Sequence, residues 1–472
     1  MLAILPVLAL LAATAPAAPD AASLGRIDSF VAAEMRRSQI PGLALALVKD
    51  GRVVMAKGYG VANVEHGVPV RRDTIFQSGS VAKQFAAAAV MLLAEEGKLA
   101  LDDSVTRFFP DAPASWGAIT VRQLLSHTSG MQDYPEDFDM RRDYTEDEQL
   151  AMVGRTPLAS APGARWAYSN LGYVTLGALI RKASGRFYGD YLADRIFGPL
   201  GMVSARVISE ADIVPNRAAG YELVRGKLKN HAWVSPSVNT TADGSLYLSL
   251  DDMLAWNAAL DAGRIVSRSA LERMWTPSRL ADGRMAPYGM GWFTMEAHGR
   301  RLIFHGGAWQ GFKAFIARIP SERLAVILLA NQQAANEWRI ARGVASIFVR
   351  DLALPAEEPI EDREPAVTQL ARKVLRQLAA GAPDLSLFTP EGGAALSAHR
   401  VGQLTERLDA LSLPPALIAS IDLVGRVEES GTRTYRYALT DLAATEIFTM
   451  RLAPDGRIAG VDLTPSRTDR RP

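Results

Sequence analysis

The sequence predicts an α+β protein made of two unlike units, and three observations carry that reading. Apolar and β-branched runs pair across a turn near the N-terminus, and strand character returns only after residue 285, so a sheet is interrupted by a long insertion. Between about 100 and 280 the insertion shows several helical segments separated by Pro- and Gly-marked loops. After it, residues 353–366 (ALPAEEPIEDREPA) are rich in Pro and acidic residues with no apolar period, which reads as a linker to a second module.

Taken in order, residues 2–13 (LAILPVLALLAA) are an uncharged apolar run too short to cross a ~30 Å hydrocarbon layer as a helix. Ala15-x-Ala17 follows with the small residues a signal peptidase needs. Residues 1–17 are therefore expected to be a signal peptide and the protein to be exported, periplasmic or secreted; an uncleaved N-terminal anchor is the alternative. Ile27, Phe30, Val31 and Met35 have helical spacing, which Ile40-Pro41-Gly42 ends. Leu43–Val48 and Val53–Lys57 flank Lys49-Asp50-Gly51-Arg52, and Asp-Gly is hairpin-turn chemistry, so the sheet opens with an antiparallel pair. Residues 80–97 (SVAKQFAAAAVMLLAEEG) are Ala-rich, hold strong helix formers and stop at Gly97, the pattern of a buried helix. Residues 286–331 contain four strand-like runs, and a helix at about 335–352 closes the first unit. The second module, residues 367–466, shows amphipathic helices near 367–380 and 395–410. Strands follow at Thr432–Tyr437, Glu446–Leu452 and Ile458–Leu463, the last two joined by Pro454-Asp455-Gly456.

Composition removes several functions. The chain has 472 residues, 48% apolar and 22% charged, and a formal net charge of +1. That balance suits a packed protein and gives no single-sign field for nucleic acid or acidic lipid. With no Cys, disulfides, thiolate metal sites, cysteine nucleophiles and a lipoprotein anchor are all excluded. Beyond the N-terminal run, no stretch approaches the roughly 18 apolar residues of a spanning helix, so the mature chain is expected to have no membrane span. No G-x-S-x-G and no H-E-x-x-H occurs, which leaves an α/β-hydrolase elbow and a zinc protease unsupported. Neither a metal site nor a cofactor is expected.

Three short constellations carry chemistry. Ser80-Val81-Ala82-Lys83 is the sole S-x-x-K in the chain and opens the Ala-rich helix. Spacing of i, i+3 puts hydroxyl and amine on one face, and the helix N-terminus favours a developing oxyanion. A serine hydroxyl needs a base, and a lysine serves when burial or a nearby positive group depresses its pKa. Read alone, the same four residues also fit an N-cap serine and a surface lysine. Tyr168-Ser169-Asn170 is the sole Y-x-N. In an extended or turn segment its phenol and amide point to one side; a phenolate near an ammonium can shuttle a proton, and the amide can bind a substrate carbonyl. A core Tyr followed by a helix-capping Asn is the alternative. His305-Gly306-Gly307-Ala308 follows the apolar run Leu302-Ile303-Phe304 at a strand end, where two glycines allow close backbone approach. The Ala308 and Ser80 N–H groups can then form an oxyanion hole. A tight turn with a structural imidazole is the bland reading.

Together and in this order, Ser80-x-x-Lys83, Tyr168-x-Asn170 and His305-Gly306-Gly307 resemble the S-x-x-K, Y-x-N and K-T-G boxes of the class C β-lactamase-like, penicillin-recognising serine hydrolases. Gly58-Tyr59-Gly60-Val61-Ala62-Asn63, Leu124-Leu125-Ser126-His127-Thr128-Ser129-Gly130 and Tyr288-Gly289-Met290-Gly291-Trp292 resemble further family segments, and the likeness covers about residues 24–352. The resemblance implies an antiparallel sheet flanked by helices beside a mostly helical subdomain, an active site between them, and acyl-enzyme chemistry at Ser80 without a cofactor. It implies catalytic roles for Ser80, Lys83 and Tyr168, and substrate binding by Asn170, His305, Gly306, Gly307 and Ala308. His127 reads as structural, fixing a loop. His305 stands where penicillin-binding enzymes usually carry Lys, and an imidazole with a pKa near 6.5 is mostly neutral at pH 7. Efficient β-lactam hydrolysis is therefore doubtful. D-aminopeptidase-like and esterase-like relatives carry an H-x-G third box, so the expected substrate is a D-amino-acid peptide, an amide or an ester, with a lactam less suited. The tail module resembles small cystatin-like or NTF2-like domains. The leading expectation is an exported serine hydrolase; the competing one is a ligand-binding sensor or scaffold that keeps a penicillin-binding-type fold.

Overall fold

The computed structural model describes residues 21–135, 137–354, 357–411, 418, 421–442 and 444–466. The expected signal peptide, residues 1–17, lies outside the described residues.

The main sheet holds β1 (Gly42–Lys49), β2 (Arg52–Asn63), β3 (Val68–Pro69), β4 (Phe293–Ala297), β5 (Arg300–Trp309), β6 (Phe312–Ile319) and β7 (Leu324–Ala330). Their spatial order is β3-β2-β1-β7-β6-β5-β4. All neighbours run antiparallel, with Leu45 opposite Leu328 where the two ends of the unit meet. β1 and β7 are buried along almost their whole length because helices cover both faces, which is why they read as continuous apolar runs. Successive side chains alternate between two cores. Ala44, Ala46, Ile316, Ile327 and Leu329 join one with helices α2 (Lys83–Glu95), α3 (Asn170–Ser184) and α4 (Leu250–Ala262). Leu43, Leu45, Leu47, Phe315 and Leu328 join the other with α1 (Ala21–Arg37) and α5 (Glu337–Ser346). The mixed architecture with antiparallel sheets is the expected class.

Several elements differ from the sequence expectation. β2 runs on to Asn63, and the segment Tyr288–Trp292, expected as strand, lies outside β4. The helix at 335–352 ends at Ser346 and is followed by a separate 3₁₀ turn, Arg350–Leu352.

The tail packs α6 (Pro365–Ala379) and α7 (Ala398–Ala410) on a meander of β8 (Asp422–Glu429), β9 (Thr432–Thr440), β10 (Thr445–Leu452) and β11 (Ile458–Pro465). Strand β8 was not foreseen, because its Gly425 and run of exposed charged residues hide the period. Val374, Leu378, Leu404, Tyr437 and Phe448 form its core. Polar bonds join it to the first unit. Asp422 accepts from Arg37 Nη1 at 2.9 Å and from Asn336 Nδ2 at 2.8 Å, and Arg342 Nη1 donates to Thr445 Oγ1 at 3.2 Å. Asn336 is also the N-cap of α5, so a tail carboxylate holds the start of a helix that lines the pocket described next.

Candidate active site

Ser80 sits in a 3₁₀ turn, Gly79–Ala82, and the α-helix starts only at Lys83. The expected α-helical start at Ser80 is displaced because Gly79 adopts φ +48° and lies flat against β5. A Cβ on Gly79 would collide with Ala308 N, and one on Gly307 would lie 2.9 Å from Ser80 N. Two glycines facing each other thus bring the Ser80 and Ala308 backbone segments together, which no side-chain-bearing residue would permit.

Lys83 is fully buried, and its Nζ donates to Ser80 Oγ at 3.1 Å, to Asn170 Oδ1 at 2.7 Å and to the Asp243 carbonyl. Burial lowers its pKa to about 8, with the Asp243 and Asp133 carboxylates acting in the opposite direction. The ammonium lies 4.9 Å from the centre of the Tyr168 ring. Tyr168 hydrogen-bonds Ser80, which favours the phenolate, yet burial holds its pKa well above 10 and the nearby Asp133 and Asp243 charges add to that. The phenol therefore stays protonated, and the expected phenolate is replaced by a neutral proton carrier.

Asn170 begins α3, whose N-cap Ser169 accepts from Gly172 N at 3.1 Å. Its amide is oriented at both ends: Oδ1 receives Lys83, and Nδ2 donates to Asp133 Oδ2 at 3.1 Å. His127 holds this turn. Its Nδ1 accepts from Ser169 N at 3.1 Å, its carbonyl accepts from Ala167 N at 2.9 Å, and its ring packs at a tilt against Tyr168, 4.1 Å between ring centres. The loop-fixing expectation for His127 matches these bonds.

His305 lines the pocket as a neutral ring. Its Nδ1 donates to the Gly306 carbonyl at 2.6 Å, so Nε2 accepts from Tyr288 Oη at 2.9 Å. Burial, reinforced by the Lys83 charge, lowers its pKa to about 3. Its position beside the serine is as expected, but both nitrogens are committed within the protein.

The pocket has a volume of about 250 Å³ and is bordered by Ser80, Tyr168, Asn170, His305, Gly306, Gly307 and Ala308. All the predicted site residues therefore line one cavity, except Lys83, which sits behind Ser80. Sequence reasoning missed Asp133, Tyr134 and Asp243 on one side and Lys313, Glu337 and Trp338 on another. Asp133 and Tyr134 lie three and four residues beyond the LLSHTSG segment, the one signal that could have placed them; Asp243 had none.

A family model described as Beta-lactamase matches residues 27–346. The D-aminopeptidase of Gluconobacter oxydans (strain 621H) is 30% identical over 351 residues, 72% of this chain; the chain spans 64% of that relative's length. The D-amino acid amidase of Ochrobactrum anthropi SV3, solved with L-phenylalanine amide, superposes with a TM-score of 0.61 at 25% identity, over 70% of this chain and all of the amidase. The octameric penicillin-binding protein homologue of Pyrococcus abyssi shares the fold over 94% of this chain and 98% of its own, at a TM-score of 0.64 and 24% identity. The family match spans more than half of the sequence and contains all three boxes, so the chain belongs to the Beta-lactamase family.

Proposed function

We propose that the protein is a serine hydrolase that cleaves amino-acid amides or peptides bearing a free ammonium group, in the manner of a D-aminopeptidase or amidase. The observation that carries this reading is the buried Lys83 amine, 3.1 Å from Ser80 Oγ and with a pKa lowered to about 8. In its neutral form the amine accepts the Ser80 proton as Oγ attacks the carbonyl carbon. The oxyanion is met by the N–H groups of Ser80 and Ala308. The Tyr168 phenol gives its proton to the departing amine and regains one from Lys83. Water then attacks the acyl-enzyme, its proton returns through Tyr168 and Lys83, and Ser80 is released. Asn170 holds Lys83 in register and keeps one amide N–H for the substrate carbonyl.

The substrate class rests on charge. Asp133 and Asp243 border the pocket beside Ser80, and Asp243 Oδ1 is buried without a hydrogen-bond partner. Such a wall attracts an ammonium and opposes the carboxylate of a β-lactam, and the neutral His305 gives that carboxylate no counter-charge. The names of the Gluconobacter and Ochrobactrum proteins agree with this class. Export belongs to the same proposal and rests on the apolar run at residues 2–13.

A fluorophosphonate probe tests the chemistry: stoichiometric labelling that vanishes in Ser80→Ala supports it, and no labelling of the folded protein refutes it. A panel of D-amino-acid amides, D-Ala-D-Ala peptides, nitrocefin and p-nitrophenyl esters tests the class, with the amides expected to give the highest kcat/KM.

A further inference from the structure

The cavity holding Ser80 extends past Gly306 to Lys313 on β6 and Glu337 at the start of α5. Lys313 Nζ donates to Glu337 Oε1 at 3.1 Å, and the two side chains are only 2% and 3% exposed. The second carboxylate oxygen, Glu337 Oε2, is buried and has no hydrogen-bond partner. An ionised oxygen in that position is costly to leave unmatched, because buried polar groups are stable only when their lone pairs are used. Phe293 and Trp338 give the same region aromatic walls. Gly306 leaves the way in open: a Cβ there would lie 3.3 Å from the Phe315 ring and 3.6 Å from Glu337 Oε1. The reaction derived above uses neither Lys313 nor Glu337.

We propose that this recess is the subsite for the substrate side chain and that it selects an uncharged aromatic group ending in a hydrogen-bond donor, namely a phenol. The proposal rests on the hydrolase reading above for its substrate backbone. Glu337 Oε2 can only accept, so it calls for a donor. A cationic side chain would face the Lys313 ammonium already paired there, and an anionic one would face the carboxylate. A purely apolar side chain would fill the recess and leave the oxygen unmatched. The flat walls favour a ring, whose hydroxyl reaches Glu337 while its body covers Phe293 and Trp338.

The test compares D-tyrosinamide with D-phenylalaninamide in the unaltered protein, in Glu337→Gln and in the double variant Lys313→Met/Glu337→Leu, which removes the buried pair as a unit. The unaltered protein is expected to favour the tyrosine amide in kcat/KM by about tenfold, the value of one hydrogen bond to a charged group. The folded double variant is expected to bring the two within about twofold. Equal kcat/KM in the unaltered protein, or a preference that survives in the double variant, overturns the proposal. Binding of p-cresol and toluene, followed by tryptophan fluorescence, needs no turnover. Tighter p-cresol binding that the double variant loses supports the recess, and equal binding overturns it. Selective p-cresol binding in a protein that hydrolyses no amide refutes the hydrolase reading alone.

Discussion

If Lys83 is the base, activity should follow the neutral fraction of its amine. Burial lowers that pKa from the ordinary 10.5 to about 8. At pH 7 an amine titrating near 8 is roughly one-tenth neutral, against about 0.03% at the ordinary value, so burial makes the base about 300-fold more available. The perturbation is pH itself, read with an uncharged ester such as p-nitrophenyl acetate so that the substrate does not titrate. kcat/KM should climb about tenfold per pH unit up to pH 7 and level off above about 8. Asp133→Asn supplies the second arm: its carboxylate stabilises the ammonium, so its removal should move the inflection below 8 while the side chain's size is kept. Lys83→Arg cannot deprotonate and should lose activity at every pH. A flat profile between pH 6 and 9, an inflection near 10.5, or an active Lys83→Arg would refute the reasoning.

Other consequences follow from close contacts and buried charge. Gly307→Ala drives a methyl group into the Ser78 carbonyl and against Ser80 N, so kcat should fall by about 100-fold or more with far-UV circular dichroism unchanged; a kcat within tenfold would refute the tight fit. His305 titrates near 6.5 unfolded and about 3 folded, so the folded state binds fewer protons between those values. The stability it carries is complete above pH 6.5 and is lost as pH falls toward 3, so the Tm of the parent should drop more steeply between pH 6.5 and 4 than that of His305→Asn. Equal slopes would count against it. Asp422→Ala removes the tail acceptor of Asn336 and of Arg37, which keeps Glu34, and should cost about 1–2 kcal/mol in urea unfolding; a cost near zero would show that the tail carboxylate supports nothing in the first unit.

Much of this was legible along the chain because the relevant forces are local. An i, i+3 spacing in a helix-forming run is enough to put Ser80 and Lys83 together, and Asp50-Gly51 is enough to turn the first hairpin. The apolar, β-branched runs that pair as β5, β6 and β7 were readable for the same reason. Tyr288–Trp292 misled because aromatic and glycine content mimics a strand while its partners lie elsewhere: Tyr288 Oη reaches His305, and Met290 N bonds the Met274 carbonyl.

By itself, then, the sequence determined which atoms could react, since a hydroxyl, an amine and a phenol are fixed by residue identity and short spacing. Only the tertiary structure decided their protonation. Lys83 is brought near neutrality, Tyr168 is kept a phenol and His305 is kept uncharged by burial among groups remote in the chain. It also decided what surrounds them, placing Asp133, Asp243 and the Lys313–Glu337 pair around one cavity. Desolvation and Coulomb interactions depend on distance through space, and spacing along a sequence does not carry that distance.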